Sequence, residues 1–187
     1  GHGKREMGET HEERFFTEED VLTSTCPAPN DYTVSKRMLS SFVSSYKHDF
    51  THWHFYIPTI YGAGENPKRL IPYVINAIRN GEELHFTAGD QTRQYVHVSE
   101  VPRMLAQAFD KNLPSGLYNI QGKETVTVKE IVTEIHHAMG KEVPDGCFGS
   151  VQRADVGMKY LALDGKKLHD ATGFEASIKI TNVIDTY

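Results

Sequence analysis

Apolar residues recur at helical spacing from Tyr32 to about Lys47, where Leu39, Phe42, Val43 and Tyr46 share a face and serines and charges take the other. Before this helix the chain is polar, with a short helical turn expected at Thr17–Val21. The run Cys26-Pro27-Ala28-Pro29-Asn30-Asp31 is punctuation that ends in good capping residues. Trp53–Ile57 reads as a short strand, closed by Pro58 and the turn signal Gly62-Ala63-Gly64. A second helix is predicted from about Arg69 to Asn80, with Leu70, Ile71, Val74, Ile75 and Ile78 apolar and Gly81 as its stop. Leu84–Thr87 and Gln94–Val98 are strand candidates on either side of the turn Ala88-Gly89-Asp90. Ser99 is placed to cap a helix running to about Asp110, where Pro102 is tolerable because it falls in the first turn. Leu117–Ile120 is a short apolar strand. Thr127 and Glu130 form a capping box in front of the stripe Val128, Ile131, Val132, Ile135 and Met139, a core face that Gly140 ends. The remainder reads as irregular, with a last small helix near Gly165–Thr172. Strands alternating with helices indicate an α/β protein with parallel pairing.

Composition narrows the function. The 187 residues are 39% hydrophobic and 24% charged, enough for one domain plus part of another. A formal net charge of -5 gives no sign of nucleic-acid binding, although a few arginines in a pocket suffice for a diphosphate. No apolar run approaches the roughly 20 residues that span a bilayer, and Gly1 to Asp20 lacks the apolar core of a signal peptide. Cys26 and Cys147 form no CxxC pattern and read as free thiols of a cytoplasmic protein. The ten histidines are scattered, with His52 and His54 flanking Trp53, and no metal site is expected.

Candidate chemistry lies in Tyr32-Thr33-Val34-Ser35-Lys36. Residues four apart share a helix face, so the phenol of Tyr32 and the ammonium of Lys36 project into the same space. A phenol is a poor base at neutral pH, and a nearby positive charge favours its phenolate. Such a pair is suited to moving a proton on or off a sugar hydroxyl. YxxxK alone also fits a solvated helix face. Here a Pro-rich loop precedes it, and an amphipathic helix and an apolar strand follow.

This order resembles the extended short-chain dehydrogenase/reductase family of nucleotide-sugar epimerases and dehydratases. Pro58-Thr59-Ile60-Tyr61-Gly62 is similar to the family's NVYG turn, and Leu70-Ile71-Pro72 to its LIP segment. The stretch Phe86-Thr87-Ala88-Gly89-Asp90-Gln91-Thr92-Arg93-Gln94-Tyr95-Val96-His97-Val98 resembles its YGDGxQxRDFVHV signature. Leu117-Tyr118-Asn119-Ile120 resembles its VYNIG strand. Arg153-Ala154-Asp155-Val156, Leu163-Asp164, Lys167-Leu168 and Thr172-Gly173-Phe174 resemble its RxGDV…AD…KL…LGW ending. The similarity covers about residues 15–187.

The resemblance implies the later part of a Rossmann-type parallel sheet followed by a smaller C-terminal α/β substrate domain. Residues 1–62 would be the remainder of the dinucleotide-binding domain. Residues 63–187 would be mainly substrate domain, with about 94–120 returning to the Rossmann sheet. It also implies that Tyr32 is the catalytic acid/base, that Lys36 tunes it and holds the nicotinamide ribose, and that Pro58, Thr59 and Ile60 border the nicotinamide of NAD or NADP. Thr59, Leu70, Phe86, Arg93 and Arg153 would contact a nucleotide-sugar substrate. In this scheme Phe86 lies against the base, and the two arginines bind the diphosphate by charge-assisted, often bidentate bonds. Phe86 reads equally as a core strand residue, and each arginine has an alternative as a surface ion pair.

Departures from the family pattern are as informative. No GxxGxxG turn is present to place a pyrophosphate on backbone amides, and no upstream Ser or Thr partner of Tyr32 is evident. Thr59 stands where the family has Asn, and Tyr56 where it has Arg. The chain is therefore expected to be an incomplete and inactive piece of a longer polypeptide. The intact protein would pass hydride between a sugar carbon, C4, and NAD(P), and would be a homodimer, with the Phe42 and Tyr46 side of the helix either contributing to the interface or simply core. The competing expectation is a non-catalytic sugar-nucleotide binder, or a subunit completed by another chain.

Overall fold

The computed structural model describes residues 13–28, 30–45, 47–151 and 158–187. Helix α1 (Glu18–Leu22) leads into α2 (Asp31–Ser45), followed by strands β1 (Trp53–Tyr56) and β2 (Thr59–Tyr61) and helix α3 (Leu70–Asn80). Strand β3 (Thr92–His97), helix α4 (Glu100–Asp110), strands β4 (Gly116–Asn119) and β5 (Glu124–Thr127) and helix α5 (Val128–Ala138) come next. The chain ends in β6 (Tyr160–Leu161), α6 (Lys166–Thr172) and two short 3-10 turns, Ile180–Asn182 and Ile184–Thr186.

β1 pairs in parallel with β4, from Trp53 opposite Gly116 to Tyr56 opposite Asn119. β3 pairs in parallel with β2 at its C-terminal half and with β6 at its start, and antiparallel with β5. Parallel pairing with helical crossovers is therefore realised in a mixed α/β fold.

Two apolar clusters fill it. The first joins Ile71, Val74 and Ile75 of α3 to Ile131, Val132 and Ile135 of α5, with Tyr61, Tyr95, Ile180 and Ile184. The second gathers Val96, Met104, Ala108, Tyr118, Ile120, Leu168 and Phe174, with Trp53 and Phe55 packed against it. The capping box forms as the spacing predicts: Glu130 N–H donates to Thr127 Oγ1 at 3.0 Å, and Thr127 N–H donates to Glu130 Oε2 at 2.7 Å. Gly81 closes α3 in the left-handed region at φ 70°, a conformation that favours glycine. Among the described residues no helix is long and apolar enough to cross a membrane.

Several expectations need correction. Leu84–Thr87 is not a regular strand. Phe86 makes a single bridge to Phe148, because Gly146 and Gly149, with φ of 77° and 80°, break the extended run opposite it. Thr59–Tyr61, read as part of a turn, is β2, and the polar segment Glu124–Thr127 is β5. The ending is not wholly irregular, since β6 docks on β3. Ser99 sits in helical backbone without capping α4, and its hydroxyl lies 2.8 Å from His97 Nδ1. On α2, Leu39 and Phe42 are exposed rather than core, and Ser40 is the buried residue. The side chain of Tyr46 lies outside the described residues.

Glu100 is a buried carboxylate that ties α4 to the chain's end. It accepts from Ser177 N–H at 2.7 Å, Ile178 N–H at 3.0 Å and Ser177 Oγ at 3.1 Å, and pairs with Arg103. Burial pushes its pKa up, but the hydrogen bonds from Ser177, Arg103 and Ile178 outweigh burial and hold it below the ordinary glutamate value. A lowered pKa adds stability at neutral pH that is lost as pH falls through the carboxylate range. Glu100→Ala is expected to cost about 2–4 kcal/mol, because it orphans buried donors. Urea titrations at neutral and acid pH should show that loss, and a smaller loss on acidification in Glu100→Gln than in the wild type.

Candidate functional site

Asn30 starts α2 by accepting the Thr33 N–H on its side-chain oxygen at 2.9 Å. The cap sets the phase of the helix, and Tyr32, Lys36 and Ser40 fall at i, i+4 and i+8 on one row. Lys36 Nζ lies 5.3 Å from the centroid of the Tyr32 ring, a cation over an aromatic face. Tyr32 remains 70% exposed. Two turns on, Ser40 Oγ donates to Lys36 O at 3.0 Å and lies 3.0 Å from His54 Nε2.

The row forms one wall of a cleft of about 760 Å³, a volume in the range of small-molecule sites. His54 and Tyr56 of β1 line it together with Pro58, Thr59 and Ile60, with the buried Gln94 and the exposed Arg69 also on the lining. Alternation along β1 accounts for part of this, since Trp53 and Phe55 pack against the second apolar cluster, although Phe55 also borders the cleft. Burial lowers the His54 pKa, and the neighbouring charges of His52 and Lys36 lower it further. Burial raises that of Tyr56, Ser40 draws it partly back, and Glu18 adds to the rise. The Tyr56 hydroxyl approaches Ser40 without forming a hydrogen bond of good geometry.

Beyond β2 the chain turns at Gly62, where φ is 147° and a Cβ would come within 2.6 Å of Val98 Cγ1. Glu65, next in this turn, pairs with Arg69 Nε at 3.2 Å and accepts from the Tyr187 hydroxyl at 2.6 Å. Arg69 is thereby held at the cleft's rim.

A model of the NAD dependent epimerase/dehydratase family matches residues 4–120. The chain belongs to that family. Over 143 residues it is 27% identical to the dTDP-glucose 4,6-dehydratase of Escherichia coli, a match covering 71% of this chain and 37% of the relative. Over 87 residues it is 26% identical to the CDP-abequose synthase of Salmonella muenchen, covering 44% and 30%. Among solved structures, a double mutant of the dTDP-glucose 4,6-dehydratase of Streptomyces venezuelae, with NAD and DAU bound, aligns with a TM-score of 0.78 at 18% identity, over 98% of this chain and 57% of that one. The UDP-glucuronic acid 4-epimerase of Bacillus cereus, in complex with UDP-glucuronic acid and NAD, gives 0.71 at 20%, over 86% and 52%. At such identities the likeness is one of fold. The chain spans 37% and 30% of the length of these curated relatives.

Within this family member, five of the residues singled out by sequence, Tyr32, Lys36, Pro58, Thr59 and Ile60, line the same cleft. Leu70 opens α3 and packs against the first apolar cluster. Phe86 stacks on Phe148 with ring centroids 5.7 Å apart, away from the cleft lining. Arg93 also lies off that lining and donates to Thr92 O at 2.7 Å. Arg153 lies outside the described residues. Sequence reasoning missed Ser40, His54, Arg69 and Gln94. The i+8 spacing from Tyr32 pointed to Ser40, and alternation in Trp53-His54-Phe55-Tyr56 pointed to His54.

Because Tyr32 and Lys36 are exposed, removing their polar ends should leave stability within about 0.5 kcal/mol, or roughly 2 °C in melting temperature. Thermal melts of Tyr32→Phe and Lys36→Met followed by circular dichroism check this. A loss of many degrees would give the pair a structural role instead.

Proposed function

We propose that these residues supply the proton-transfer wall and part of the sugar-nucleotide site of an NAD(P)-dependent epimerase, dehydratase or reductase. Its substrate is a nucleoside diphosphate sugar, oxidised or reduced at a hexose carbon, C4. The observation that carries the reading is the Tyr32–Lys36 pair, one helical turn apart on the wall of the cleft and facing the β2 backbone.

The cleft fits a nicotinamide cofactor in part. An exposed phenol and ammonium stand ready for a ribose and a reacting hydroxyl, and the Pro58–Ile60 backbone offers a border for the ring. Nothing in the sequence supplies a glycine-rich turn for the pyrophosphate, so this reading assigns the pyrophosphate to none of these residues. A nicotinamide held by Tyr32, Lys36 and the Pro58–Ile60 backbone would supply the acceptor or donor of the hydride. Tyr32 takes the proton from the sugar hydroxyl as that carbon is oxidised and gives it back on reduction. Lys36 stabilises the negative charge that gathers on the phenol oxygen.

For the substrate's diphosphate this reading takes Arg69, the arginine on the cleft lining and paired with Glu65, beside the sequence-derived Arg153. The apolar residues Val34, Met38, Leu39 and Phe42, exposed on α2, support a homodimer of the intact protein. The measurement is turnover of nucleotide sugars by the polypeptide carrying these residues, with NAD and with NADP. Tyr32→Phe is expected to lower kcat by about 10²–10⁴-fold, with sugar-nucleotide affinity unchanged. A Tyr32→Phe protein that turns over like the wild type would remove the enzyme reading and leave a binding protein.

A further inference from the structure

We propose that His54 is a positioning residue for the Tyr32–Lys36 pair, fixing through Ser40 the turn of α2 that presents Lys36, and doing so in its neutral form. The proposal rests on the reading above that Tyr32 and Lys36 handle the proton.

Ser40 is the buried residue of α2, so the helix meets the body of the fold at this point. Its hydroxyl has one proton to give. That proton goes to Lys36 O, the carbonyl of the residue whose ammonium lies beside Tyr32. Ser40 Oγ is then an acceptor for His54, 3.0 Å away, and the proton of the neutral imidazole belongs on Nε2. The chain of contacts runs from the rigid strand β1 through His54 and Ser40 to the Lys36 backbone. A site residue on an exposed helix gains precision from such a tether.

Charged and aromatic groups enclose the ring, and among them Lys36 and His52 disfavour its charged form. Lys36 faces it from α2, His52 lies just before its strand and Tyr56 on the strand, and the Tyr56 ring stands edge-on with centroids 5.2 Å apart. Glu18 of α1 acts on the same side of the cleft through Tyr56. Burial first, then the charges of His52 and Lys36, hold His54 below the ordinary imidazole pKa, which keeps it neutral at physiological pH. Protonation would set a second positive charge opposite Lys36 across Ser40, pushing the ammonium from its place beside the phenol. The arrangement loosens as pH falls through the His54 pKa and is intact above it.

The test reads the imidazole and the reaction separately. In protein labelled with ¹⁵N-histidine, the His54 signals are identified by their absence from His54→Gln. They are expected to show the Nε2–H tautomer and to titrate below the ordinary imidazole range. Ser40→Ala, which removes one oxygen and leaves the fold in place, should change both the tautomer signature and the midpoint. Unchanged His54 signals in Ser40→Ala overturn the proposal, and this arm does not depend on turnover. In the kinetic arm, His54→Leu is expected to lower kcat about tenfold with KM for the sugar nucleotide within about twofold, the pattern of a lost transition-state arrangement. It should also erase an acid limb of the kcat profile that lies below the ordinary imidazole pKa. His54→Gln, which still donates to Ser40, should recover most of kcat without restoring the limb. Wild-type kcat and an intact acid limb in His54→Leu overturn the proposal. Tyr32→Phe is assayed alongside: if it is inactive while His54→Leu is unaltered, the positioning role alone falls; if it is active, the enzyme reading falls with it.

Discussion

Tyr95 and Val96 are neighbours on β3, and because successive side chains of a strand point to opposite faces, they enter different apolar clusters. This one strand therefore belongs to both cores. Its register is doubly constrained, since a slip of one residue would withdraw an apolar side chain from each cluster at once. Gln94 beside them strengthens the lock. Its buried amide donates to Leu163 O at 3.1 Å and accepts from Leu163 N–H at 3.3 Å, fixing the segment after β6. With β3 fixed, β2 is fixed by their parallel ladder, and the backbone of Thr59 and Ile60 arrives at the cleft facing α2.

What the sequence revealed, and what it hid, follows from where the information resides. Helices α3 and α5 were legible because their apolar faces repeat at helical spacing and their ends carry Gly81 and the Thr127–Glu130 box. β2 and β5 were hidden for a physical reason. Both are short, and Glu124–Thr127 has a single apolar side chain, Val126, so the ladder with β3 does most to define it. Apolar composition misled at Leu84–Thr87, where the opposing chain is too bent by glycine to form a ladder. In the site, the Tyr32–Lys36 pair was readable because four-residue spacing within one helix fixes its geometry. Arg69 was not, because its place at the cleft depends on Glu65, which is held in turn by Tyr187 from the far end of the sequence. His54 lay in between: strand alternation gave its side of the sheet, but only tertiary packing supplied Ser40 as its partner.

The cleft combines an apolar lining with a few converging polar groups. Lys36, Arg37 and Arg69 stand around walls that include Phe16, Leu39, Ile60 and Leu163. Arg37 is committed to structure, since its guanidinium is bound to the Cys26 carbonyl. Lys36 and Arg69 are the cations best placed for a bound anion, and the apolar walls raise the worth of any such contact by excluding water.

Helix α2 carries the candidate acid/base while burying little beyond Ser40. Burial is what resists local opening, so the amide hydrogens of α2 should exchange with solvent at a lower free energy than those of α3 and α5. Excursions that undock it remove the cleft wall that carries Tyr32 and Lys36 while both cores stay folded. A ligand that needs the docked helix therefore stabilises α2 by mass action, and protection of its amides from exchange becomes a direct gauge of how fully the cleft is occupied.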